Sequence, residues 1–387
     1  MNIKEIDNKY IVHTYNRFPV EIVSGKGAII KDDQGKEYID MGAGVAVNTF
    51  GIADDEWIGA VKAQLDKVQH TSNLYYAAPC AKLAEMLCEK TGMKKVFFSN
   101  AGAEANECAI KAAREYGVTT KGEEYYNIIT LVNSFHGRSL ATLSATGQEA
   151  YHKNFGPMTP GFIHTPANDC EALEKAVNEN KVCAIMFELV QGEGGVQALT
   201  PEFVAKIAEL AEKHDLLMID DEVQCGNGRT GKLYAYMHFG IKPDIISTAK
   251  GLGAGLPIGA TMFGEKVADI YQPGMHGSTF GGNPVCAAGA INVISRLTDD
   301  LLADVTAKSE YIVKELTGAK GIRSVSGMGL MLGLETEKPA SEVVASAREK
   351  GVLVLTAKTK IRLIPPLTIT FNQVKKAVEI IKEACAE

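Results

Sequence analysis

The sequence contains no C-x-x-C pair, no excess of positive charge, no long apolar run, no internal repeat and no low-complexity linker. Its eight cysteines have no metal-type spacing with histidine, and several sit in apolar runs such as VCAIMF. That excludes a disulfide scaffold or zinc module and points to reduced, buried thiols with no metal. With 40 Lys and Arg against 47 Asp and Glu, the net charge is −7. Broad nucleic-acid or anionic-membrane binding is not expected of such a chain. The opening MNIKEIDNKY lacks the apolar core of a signal peptide. Residues 270–295 are the longest stretch free of Asp, Glu, Lys and Arg, but His276, Ser278, Thr279, Asn283 and Pro284 interrupt it. No membrane span is expected there, and the chain reads as soluble and cytoplasmic.

What is present is 387 residues of ordinary globular composition with one outlier, 38 glycines. That exceeds the usual ~7%, and the excess clusters at 192–195, 226–231, 251–259 and 274–282. Short apolar runs at 95–98, 128–132, 182–187, 216–219, 245–247 and 260–263 read as strands. Helical stretches at 103–116, 171–179, 202–214 and 284–297 lie among them. The alternation predicts an α/β fold with a mostly parallel sheet sandwiched by helices. A smaller α+β domain is expected from the chain ends: residues 1–45 joining 291–387, with 46–290 as the large domain. In such folds ligands sit at the carboxyl ends of the strands. Here those ends read SNAGAE, NSFHGR, ELVQGEGG, DDEVQ and TAKG.

Two motifs imitate nucleotide-binding loops. GNGRTGK at 226–232 fits G-x-x-x-x-G-K, but Leu233 stands where magnesium binding needs Ser or Thr. GLGAGLP at 251–257 puts Leu256 where a dinucleotide fingerprint needs its third glycine, and Pro257 where its helix should run.

Lys250 fits a different chemistry. It is the only charged side chain between Ile245 and Gly264, and it follows an apolar strand. A lone lysine there is costly unless it is used, and desolvation frees its amine for a Schiff base. Such a lysine suggests pyridoxal phosphate, which needs an acid opposite its ring nitrogen, a phosphate cradle and a flat apolar face. Asp220 and Asp221 can supply the acid, SNAGAE a strand-to-helix cradle, and Phe135 the face.

Taken together, SNAGAEA (99–105), FHGR (135–138), QGEGG (191–195), DEVQCGNGRTG (221–231), TAKG (248–251), HGSTFGGNP (276–284) and IRLIPPL (361–367) resemble the class III aminotransferases of pyridoxal-phosphate fold type I. The resemblance runs in order along essentially the whole chain. It implies pyridoxal 5'-phosphate on Lys250, with Asp221 opposite the pyridine nitrogen. Val223 and Phe135 would take the two ring faces, Gln224 the phenolic oxygen, and Gly102 and Ala103 the phosphate. Thr279 would reach the cofactor of a second subunit, implying a homodimer with shared active sites, and Ser278 would touch substrate. Arg138 and Arg362 would read substrate carboxylates, with Glu193 pairing Arg362 when the amine donor binds. Tyr76 is the expected pocket residue of TSNLYY, and Gly44 stands where a tyrosine would read a free α-amino group. The implied activity moves the δ-amino group of N2-acetyl-L-ornithine to 2-oxoglutarate, giving N-acetyl-L-glutamate 5-semialdehyde and L-glutamate in arginine biosynthesis. Other ω-amine donors (succinylornithine, ornithine, 4-aminobutyrate), a non-catalytic cofactor binder and a nicotinamide-dependent dehydrogenase are the alternatives. Leu189, Ala101 and GIADDE at 51–56 depart from the family's usual residues.

Overall fold

A computed structural model describes residues 2–387. Its centre is a seven-stranded sheet built from β1 (Lys95–Ser99), β2 (Asn127–Leu131), β3 (Phe162–Thr165), β4 (Val182–Phe187), β5 (Leu217–Asp221), β6 (Ile245–Thr248) and β7 (Gly259–Phe263). The strand order is β1-β7-β6-β5-β4-β2-β3. β7 runs antiparallel to both neighbours, while β6, β5, β4, β2 and β3 are mutually parallel. Every residue of β4 and β7 is buried, which is why these runs show no polar alternation. β3 was not expected: FIHT is short, partly exposed and at the sheet edge, where the apolar signal is weakest.

β5 extends two residues further than its apolar run, so Asp220 and Asp221 lie within the strand rather than beyond it. Helix α1 (Gly102–Lys121) follows β1 directly and packs on β7, β6 and β4 with the buried face Ala105, Cys108, Ala109, Ala112 and Ala113. Alanines there let the helix lie close to the sheet. The chain ends meet in other sheets. Glu37–Asp40 pairs in parallel with Val352–Leu353, and Ile322–Met328, Met331–Thr336, Lys360–Leu363 and Leu355–Ala357 form a four-stranded antiparallel sheet. Arg362 thus rides on a hairpin strand beside the large sheet. All eight cysteines are unpaired, five of them buried. Among the described residues no helix is long and apolar enough to cross a membrane.

Candidate active site

A cavity of about 440 Å³ opens at the carboxyl ends of β1, β2, β4, β5 and β6. Gly102, Ala103, Phe135, Arg138, Asp221, Val223, Gln224 and Lys250 all line it. Residues from five separate strand ends converge because parallel strands point their termini to one edge.

Lys250 has φ 46°, an uncommon left-handed backbone for a lysine. Its neighbours hold that conformation: Asn227 Nδ2 donates to Ala249 O at 3.1 Å and to Thr248 Oγ1 at 2.9 Å, while Thr49 Oγ1 donates to Gly251 O at 2.7 Å. Asn227 belongs to the loop that imitates a nucleotide motif, so that glycine cluster serves the lysine. No hydrogen bond or ion pair of the Lys250 ammonium is formed among the described residues. Burial lowers its pKa, opposed by the charges of Glu193 and Asp221.

Across the cavity, Asp221 is fixed from three sides. Its Oδ2 lies 2.7 Å from His136 Nδ1 and accepts from Asn106 Nδ2 at 2.7 Å, and its Oδ1 accepts from Val223 N at 3.0 Å. Asn106 is anchored in turn by Ser247, whose Oγ donates to Asn106 Oδ1 at 2.5 Å. Asp220, one residue earlier, lines no part of the cavity, because successive strand residues face opposite sides.

At the α1 end, Ala101 occupies the N-cap and offers no capping side chain. The opening N–H groups of the helix therefore stay uncapped at the cavity wall, where an anion is favoured. Glycine is required at 102, since a Cβ there would lie 2.6 Å from Val223 Cγ1.

At the rim, Glu193 Oε1 meets Arg362 Nη1 at 2.5 Å, and Arg362 Nη1 also donates to Gln224 Oε1 at 3.0 Å. Burial is the largest single influence and raises the Glu193 pKa, but the charge and hydrogen bond of Arg362, with Lys250 and Gln224, together outweigh it and the net shift is downward. Arg138 is exposed and has no carboxylate partner among the described residues. Its guanidinium lies 3.8 Å from the Tyr151 ring centroid and 5.4 Å from that of Phe135.

The remaining candidates lie outside the cavity within this one chain. Tyr76 is fully exposed, beside exposed Leu74 and Tyr75. Thr279 is exposed, and Ser278 Oγ accepts from Gly281 N and from Asn100 Nδ2, at 3.0 and 3.3 Å. Asn73 ties the two segments together through Ser278 O and Gly281 O. Gly44 also misses the cavity, although Val47 lines it. Conversely, His136, Asn106 and Glu188 line the cavity without having been singled out. Glu188 carried the same signal as Lys250, a lone charge immediately after an apolar strand.

A half-buried lysine with no hydrogen-bond partner among the described residues, facing a fixed carboxylate and an anion cradle between strand and helix, defines a site for a phosphorylated carbonyl cofactor, and the residues fit pyridoxal phosphate. The chain belongs to the class-III aminotransferase family, whose profile matches residues 10–385. It is 46% identical to the acetylornithine aminotransferase of Haemophilus ducreyi, over all of this chain and 98% of that one. The fold is that of the type I pyridoxal-phosphate enzymes. Ornithine aminotransferase from Toxoplasma gondii superposes with a TM-score of 0.94 at 33% identity, covering 99% of this chain and 94% of that one. N-acetylornithine aminotransferase from Stenotrophomonas maltophilia superposes at 0.86 and 34%, covering 99% and 98%.

Proposed function

We propose that this aminotransferase moves the δ-amino group of N2-acetyl-L-ornithine to 2-oxoglutarate, in the cytoplasm, as a homodimer. The observation that carries the reading is Lys250, an unpartnered amine held in a left-handed turn opposite Asp221. Pyridoxal phosphate, when bound, supplies an exchangeable carbonyl carbon and an electron-accepting ring. Lys250 Nζ would hold that carbon and then carry the proton at the substrate carbon. The Asp221 carboxylate, locked by His136 and Asn106, would hold a proton on the ring nitrogen. Val223 and Phe135 would clamp the ring, and the N–H groups of Gly102 and Ala103 would take the phosphate.

Arg138 and Arg362 would bind carboxylates, for which the guanidinium fork is suited. With Glu193 in place, Arg362 is neutralised and suits the uncharged end of an amine donor. With Glu193 turned aside, Arg362 is free for 2-oxoglutarate. Exposed Phe280 follows Thr279, and Asn73 joins this segment to the one carrying exposed Leu74, Tyr75 and Tyr76, which supports a partner subunit covering this face.

A panel of amine donors with 2-oxoglutarate tests the substrate. N2-acetylornithine should give a kcat/KM at least about tenfold above that of ornithine. The higher TM-score of the Toxoplasma ornithine enzyme favours free ornithine as the second reading, and a preference for it would overturn the first.

A further inference from the structure

We infer that Glu188 is a positioning residue whose single carboxylate ties the loop carrying Phe135 and Arg138 to the loop carrying Glu193, and thereby sets the amine-donor pose. The inference rests on the roles proposed above for Glu193 and Arg362.

Glu188 follows the last residue of β4 and is buried. Each oxygen serves a different loop: Oε1 accepts from Phe135 N at 2.8 Å, and Oε2 accepts from Gly192 N at 3.3 Å. One carboxylate thus satisfies two backbone donors that would otherwise be orphaned in the interior. Gly192 is wedged against Gln224, since a Cβ there would come within 2.2 Å of Gln224 Oε1. Gln224 in turn donates to Glu193 at 3.3 Å and accepts from Arg362. A shift of Gly192 towards Gln224 presses on that trio. The physical chain from Glu188 to the gate is contiguous, with every link a named contact.

The charged and titratable groups facing Glu188 are His136 after β2, Asp221 on β5 and Lys250 after β6. Burial pushes the Glu188 carboxyl up to about 7, with His136 opposing and Asp221 adding to the rise. Above that pH both oxygens accept. Below it one oxygen carries a proton facing an N–H donor, and the longer Gly192 contact is the one released first.

Glu188→Gln removes the charge and leaves an amide N–H2 facing one of the two donors. In the wild type, kcat/KM for the amine donor should fall about tenfold from pH 8 to pH 6. Glu188→Gln should be low and flat over that range, chiefly through KM for the donor. The 2-oxoglutarate half-reaction should change less than about threefold. Glu188→Asp, which keeps the charge, should restore the pH limb.

The cofactor-free protein gives an independent readout. Protection of the Phe135 and Gly192 amides against hydrogen exchange, corrected for intrinsic rates, should drop in the wild type from pH 8 to pH 6, and in Glu188→Gln already at pH 8. Should Glu188→Gln fail to fold, the wild-type exchange data alone decide. Unchanged protection, or equal losses for donor and 2-oxoglutarate, would overturn the inference. A failed donor panel beside the expected exchange pattern would instead overturn the substrate reading.

Discussion

Asp220 and Asp221 are adjacent in sequence and belong to the same strand, yet they occupy opposite worlds. On the cavity side, Asp221 has three hydrogen-bond partners. On the far side, Asp220 is fully buried against the Glu222 carboxyl, and among the described residues no N–H group or hydroxyl donates to either of its oxygens. Burial and then the neighbouring Glu222 raise its pKa well above the ordinary value. The same carboxyl group is held by three partners on one face of the sheet and is driven to neutrality on the other. The two-residue period of the strand, and not residue type, decides which aspartate serves chemistry.

The sharpest way to break this contrast is to remove amine or acid on the cavity side. Lys250→Ala should cut turnover by about 10⁴-fold or more while the protein stays folded, measured as glutamate formation. It should also raise the Tm of the cofactor-free protein, because a desolvated ammonium is lost. The unfolded chain binds more protons at position 250 between the lowered folded pKa and ~10.4, so wild-type stability rises with pH across that window. The variant should lack that rise. Asp221→Asn leaves His136 and Asn106 facing an amide, and turnover should fall about 10²- to 10³-fold, the equivalent of ~3–4 kcal/mol.

Arg362→Lys keeps the charge but loses the fork that meets Glu193 and Gln224 together. KM for 2-oxoglutarate should rise about tenfold, with a smaller change in kcat. Asp220→Asn is the smallest expected effect on rate, less than about threefold. Its signature is in stability. A carboxyl whose folded pKa is raised stabilises below the unfolded pKa of ~3.9 and loses that contribution as pH climbs towards the folded value. Replacing it removes this slope, so urea unfolding should show the variant gaining on the wild type from pH 5 to pH 8. Equal rate losses for the two asparagine variants would erase the distinction between the faces.

The sequence already exposed much of this. Apolar runs located six of seven strands, and the groups just past them converge on one cavity because a parallel sheet gathers its strand ends. Lys250 was visible as a lone charge in an apolar stretch. Its left-handed backbone was not, because Asn227 and Thr49 impose it from 23 and 201 residues away. Asn106 was hidden in an alanine-rich helix, where only the register against β6 shows that it reaches Asp221. Tyr76, Ser278 and Thr279 ride on exposed segments outside the cavity, so the spacing of those motifs could not locate them within one chain. Gly44 lies outside the cavity for a local reason: residues 43–46 are left-handed, and Val47 meets the cavity instead.

The central claim, that Lys250 is the amine that holds the cofactor, is tested most directly by borohydride reduction of the protein with pyridoxal phosphate, followed by peptide mass mapping. A stoichiometric pyridoxyl mass on the peptide carrying Lys250, abolished in Lys250→Ala, is the expected result. Label spread over surface lysines with position 250 unmodified would contradict it.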